Sequence, residues 1–136
     1  LISLDRYVEA IDIIYESMEI RNKNGDNATR LKSRIDYGNS LLYAGRLKEA
    51  KDQYEIVLKA SPTYVTAFNN LGVVAFRSKK FKEARMWFQK VLRHDSRHVE
   101  AKLALEQLPS RIQNFHVPIL DDGVNSLVHK IVRDSP

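Results

Sequence analysis

The sequence predicts an all-α fold, a stack of antiparallel helix pairs closed at its C-terminal end by a capping helix. Three observations point there. A window of the chain matches itself at a shift of 34 residues. Apolar residues recur at three- and four-residue steps through most of the chain, which is the stripe of a helix that buries one face. Turn-forming residues fall where one helix has to give way to the next.

The repeat is clearest when residues 65–98 are laid on 31–64. Gly72 then falls on Gly38, Lys82-Glu83-Ala84 on Lys48-Glu49-Ala50, Phe88 on Tyr54, and Val91-Leu92 on Val57-Leu58. Accidental spacing in an irregular bundle would not make small, aromatic and aliphatic positions all recur at one shift. A period of this length, with a small residue in each helix and an aromatic one turn later, resembles the tetratricopeptide repeat family. The resemblance implies a right-handed superhelical α-solenoid whose first helices line a concave face that binds peptide segments of other proteins. It also implies that Gly38 and Gly72 face Ala50 and Ala84 where the two helices of a pair cross closely, with Tyr54 and Phe88 filling the gap beyond.

Residues 4–22 carry the first stripe, with Leu4, Tyr7, Ala10, Ile11, Ile14, Met18 and Ile20. Tyr7-Val8-Glu9-Ala10 matches the opening of a second helix, so residues 1–24 read as half a repeat lacking its partner helix. Its apolar surface is expected to be covered by something else. From Ala10 to Ala50 is 40 residues against 34 from Ala50 to Ala84, which places an insertion around Asn22 to Arg30. There Gly25 can supply positive φ and Asp26 or Asn27 can cap the next helix. The insertion resembles the longer variant of the same repeat, in which the first helix gains a turn or more. Asn27-Ala28-Thr29 also fits a glycosylation acceptor, but capping is the favoured reading because nothing else in the chain suggests secretion.

The full repeats are residues 31–64 and 65–98. In the first, helices are expected over about 27–44 and 47–59 with Gly45 as C-cap. In the second they are expected over about 62–77 and 80–93, with Ser61 capping and Pro62 in the first turn. A partial repeat, 99–108, begins a helix expected over about 97–108 that ends at Pro109. Residues 109–136 are a linker followed by an amphipathic stripe of Val124, Leu127, Val128, Ile131 and Val132. That last helix either caps the end of the repeats, or acts as an arm that swaps onto another molecule or fills the protein's own groove.

Composition narrows the function. The 136 residues contain no Cys and carry a formal charge of +5, so disulfide and thiolate chemistry are absent. No apolar run approaches the ~18 to 20 residues that span a bilayer. The first residue is not Met, and the chain reads as part of a longer protein or one trimmed at its start. Net charge is −2 over residues 1–30, +2 over 31–64, +6 over 65–98 and −1 over 99–136. The basicity thus belongs to one repeat, Lys79, Lys80, Lys82, Arg85, Lys90 and Arg93, with Trp87 and Phe88 nearby. Solvated helix surface is its default role, with an acidic protein, RNA or anionic lipid as the alternative; the modest total disfavours a dedicated nucleic-acid binder.

No Gly-rich phosphate loop, serine elbow or nucleophile beside a base is present, so no enzyme and no cofactor are expected. Glu9, Glu49 and Glu83 recur at equivalent positions, which fits a helix-start role. His94 and His98 are four apart, but a helix break expected between them argues against a metal.

The expected peptide-binding face consists of Lys32, Ile35, Asp36, Asn39 and Tyr43, then Thr66, Asn69, Asn70, Val73 and Arg77, with Glu100, Leu103 and Gln107 from the partial repeat. Asn side chains there could hold a peptide backbone regardless of its sequence. Family members that clamp the terminal carboxylate of chaperone tails match at Asn39 and Asn70. The cationic positions of that clamp hold Ile35, Glu100 and Ala104 instead, which argues against such a ligand. The sequence therefore reads as a protein-protein interaction scaffold or adaptor. The alternatives are self-association through Leu1 to Ile20 or the C-terminal helix, giving a homo-oligomer, and contact with RNA or an acidic partner through the basic repeat. The cytoplasm is the default compartment.

Overall fold

The structure, a computed structural model, describes residues 4–108 together with Lys130, Ile131 and Arg133. The expected linker and Val124, Leu127, Val128 and Val132 lie outside the described residues. Six helices follow one another: α1 (Leu4–Asn24), α2 (Asn27–Tyr43), α3 (Leu47–Ala60), α4 (Val65–Arg77), α5 (Phe81–His94) and α6 (Val99–Gln107). The chain forms two compact units, residues 1–60 with 121–136, and residues 61–120. In the first, α2 packs against both α1 and α3; in the second, α5 packs against both α4 and α6. No strand occurs among the described residues.

The insertion becomes helix on both sides of one turn. Relative to its repeat mate α4, α2 starts four residues early, and relative to α3, α1 ends four residues late. Only Gly25 and Asp26 separate them. Asp26 Oδ1 accepts from the backbone N–H of Thr29 at 2.8 Å, so Asp26 rather than Asn27 is the N-cap. That bond holds the Asp26 carboxyl below its ordinary range. Gly25 does not take the positive φ expected of it. What it supplies is room, since a Cβ there would sit 2.7 Å from the carbonyl oxygen of Arg21.

The turn after α2 is a Schellman motif. Gly45, at φ 80°, donates to the Leu42 carbonyl at 3.0 Å, and Arg46 donates to that of Leu41 at 2.9 Å. The second unit repeats it: Lys79 donates to Phe76 at 3.0 Å and Lys80 to Ala75 at 2.8 Å. The left-handed position falls on Lys79, at φ 62°, 34 residues after Gly45.

Two expected helix starts move. Ser61 and Pro62 sit in a turn ahead of α4, in which Tyr64 donates to the Ser61 carbonyl at 3.2 Å. The helix begins at Val65 with no side-chain cap. A type of turn suited to Pro competes here with the helical first turn that Pro also suits. Asp95 accepts from the Arg97 N–H at 3.1 Å, which makes the turn that the missing proline would otherwise stiffen. His98 Nδ1 then caps α6 by accepting from Ala101 at 3.2 Å.

Each core is built round one ring. Tyr54 in the first unit and Phe88 in the second are fully buried, as are Ala50 and Ala84. The two glycines do not serve chiefly to admit Ala50 and Ala84, as the family resemblance suggested. A Cβ on Gly38 would lie 2.8 Å from Tyr54 Cε1, and one on Gly72 would lie 2.7 Å from Phe88 Cε1. The glycines are seats for the aromatic rings.

Candidate functional site

The expected binding residues on α2 divide by accessibility. Ile35 and Asn39 are fully buried, and Asp36 is nearly so. Asn39 Oδ1 accepts from the Tyr54 hydroxyl at 2.5 Å, so its amide braces the core. Lys32 donates to Asp36 Oδ1 at 2.7 Å, which pairs a buried carboxylate with a half-exposed ammonium. Tyr43 is half-buried at the other end of the helix. On α4, Asn69, Asn70 and Val73 are fully buried, with Asn69 Nδ2 donating to Asn70 Oδ1 at 3.1 Å. Thr66 and Arg77 remain half-exposed. On α6, Glu100 and Gln107 are half-exposed and Leu103 is exposed.

A groove runs between α1 and α2. Ile13, Ile14 and Met18 give it an apolar floor, and Ser17, Arg21, Ser33 and Asp36 give it polar edges. Ile131, whose backbone is helical, lines the same groove. Its side chain packs on the cluster of Ala10 and Ile14, which Tyr7, Tyr37 and Tyr43 also flank. The amphipathic stripe in the sequence marked Ile131 as a residue to be covered. It held no signal that the covering face would be the half repeat.

The basic residues lie mostly in solvent. Lys79, Lys80, Lys82 and Arg93 are exposed, while Arg85 and Lys90 are half-buried. Lys90 Nζ stands 4.7 Å above the Trp87 ring and 5.8 Å from that of Phe68, and cation–π attraction holds it there. Phe68 stacks on Trp87 with centroids 5.9 Å apart and tilts against His94 at 5.4 Å. This cluster went unread in the sequence, although Trp87, Lys90 and His94 sit at three- and four-residue steps on one face of α5.

The recurrent glutamates pair locally. Glu49 accepts from Arg46 Nε at 2.9 Å and Nη2 at 2.6 Å, and Glu9 lies 3.6 Å from Arg6, at the same offset one repeat earlier. The Arg46 hydrogen bond holds Glu49 below the usual carboxylate range. His98 is engaged as a cap, and among the described residues no three His, Asp or Glu side chains converge as a metal site. No described helix is long and apolar enough to cross a membrane.

Paired helices with glycine-seated rings and matching Schellman turns at one spacing define an all-α helical-hairpin repeat protein. A family model described as Tetratricopeptide repeat matches residues 36–105, just over half of the chain, and the chain belongs to that family. Comparison with curated proteins gives no match. Tetratricopeptide repeats generally mediate protein–protein interactions and are typically non-catalytic.

Proposed function

We propose that this protein is a non-catalytic adaptor that holds a peptide or helix of a partner protein against α2 and α4, the first helices of its repeats. The observation that carries this reading is the groove between α1 and α2, with its floor of Ile13, Ile14 and Met18 and its edges of Ser17, Arg21 and Asp36. An apolar slot with a few polar groups at its rim accepts an aliphatic anchor and fixes its orientation. Lys32 and Tyr43 on α2, and Thr66 and Arg77 on α4, are the accessible contacts. Ile35, Asn39, Asn69, Asn70 and Val73 shape the face from beneath it.

A photo-crosslinking residue placed at Ser17 or Lys32 should yield a discrete adduct with a partner from the source cell, while one at Glu55 on the exposed side of α3 should not. Equal adducts from all three positions would contradict the proposal. A second reading, self-association, is supported by α1 itself, where Val8, Ile13, Tyr15 and Ile20 are 43–61% exposed. It predicts sedimentation that depends on protein concentration, and a monomer throughout would exclude it.

A further inference from the structure

We infer that the C-terminal segment around Ile131 is an internal occupant of the α1–α2 groove, and that a partner enters by displacing it with an amphipathic helix bearing a branched aliphatic anchor. This rests on the reading that the groove is a binding surface, and it specifies both the chemistry of the ligand and the way access is controlled.

The argument begins with what Ile131 touches. Its side chain meets Ala10 and Ile14 and shares the groove with Ile13 and Met18, so the groove has a demonstrated fit for a branched aliphatic group presented from a helix. Ile131 remains only half-buried, and Lys130 and Arg133 beside it are exposed. A residue held on one side, with its charged neighbours in water, is a docked ligand more than a core residue. The walls agree. A permanent core excludes charge, whereas this groove includes Asp36, paired with Lys32 at 2.7 Å, and Arg21, and polar edges are the mark of an interface rim.

The tether supplies the control. Between Leu108, the last described residue before the gap, and Ile131 the chain has 22 residues. A tether of that order holds its end at an effective concentration in the ~mM range. A partner helix with the same anchor therefore competes against a local rival, and its apparent affinity falls by the ratio of that concentration to the rival's dissociation constant. Releasing Ile131 should raise partner affinity by at least roughly tenfold.

The test uses a fluorescently labelled synthetic peptide of residues 121–136 as probe, titrated into the full chain and into full-length Ile131→Asp. The expected result is binding to Ile131→Asp at least about tenfold tighter than to the parent chain, and loss of that binding when Ser17→Glu is added. Should Ile131→Asp lower the melting temperature, Ile131→Ala shortens the anchor without adding charge and should give the same order with smaller amplitude. Equal affinity for all chains, or binding to none, overturns the inference. If crosslinking from Ser17 or Lys32 still captures a partner in that case, only the internal-occupant claim fails; if both fail, the groove is not the binding surface.

Discussion

At the residue scale, the ring seats make the sharpest demands. Phe88 is fully buried and its Cε1 lies 2.7 Å from where a Gly72 Cβ would stand. A ring packed on all sides cannot swing away, so even Gly72→Ala should destabilise the second unit by about 1–3 kcal/mol through overpacking. A thermal melt checks this. The opposite sign is expected at Lys79. It occupies a left-handed position at φ 62°, where the first unit has Gly45, and an L-residue pays a steric cost there. Lys79→Gly should therefore raise stability by roughly 0.5–1 kcal/mol in a denaturant titration. Both residues were legible as members of a repeat. Which atoms sit against Gly72, and that Lys79 replaces a glycine at a strained turn, required the backbone path.

At the scale of elements, helix count and type were readable from periodicity, and the C-cap of α2 was readable from Gly45. The start of α4 was not, because Ser61-Pro62 is equally good chemistry for a turn and for a first helical turn. The start of α2 offers a pH test. The folded-state pKa of Asp26 is depressed, chiefly by the N–H of Thr29, and that of Glu49 is depressed by Arg46. A depressed carboxylate contributes stability above its unfolded pKa and loses it as pH falls through the folded one. The melting temperature should accordingly drop as pH falls through and below the usual carboxylate range. Asp26→Asn, which can still cap but does not titrate, should show a smaller drop over the same range. An identical drop in both proteins would remove Asp26 from the account.

At the scale of the molecule, the repeat named the architecture and, through it, the general role in protein–protein interaction. The binding face was legible only as a helix face. Asn39 and Asn69 look in sequence like amides offered to a ligand, yet burial and the Tyr54 hydroxyl turn Asn39 inward. Side-chain type alone does not say whether a polar residue on a helix faces solvent or completes a core. Variants of those two would lower stability and blur any binding test, so the accessible Lys32 and Tyr43 are the residues to change. The docking of Ile131 was legible even less, because an amphipathic stripe states that a face will be covered without stating by what.

The most direct measurement is capture of a partner from the source cell by the parent chain and by the double variant Lys32→Glu, Tyr43→Ala, with melting curves recorded on both. The account predicts capture reduced at least roughly tenfold, the order expected when interface contacts worth ~1.4 kcal/mol or more are lost, with little change in melting. Undiminished capture by a double variant that melts like the parent would contradict it.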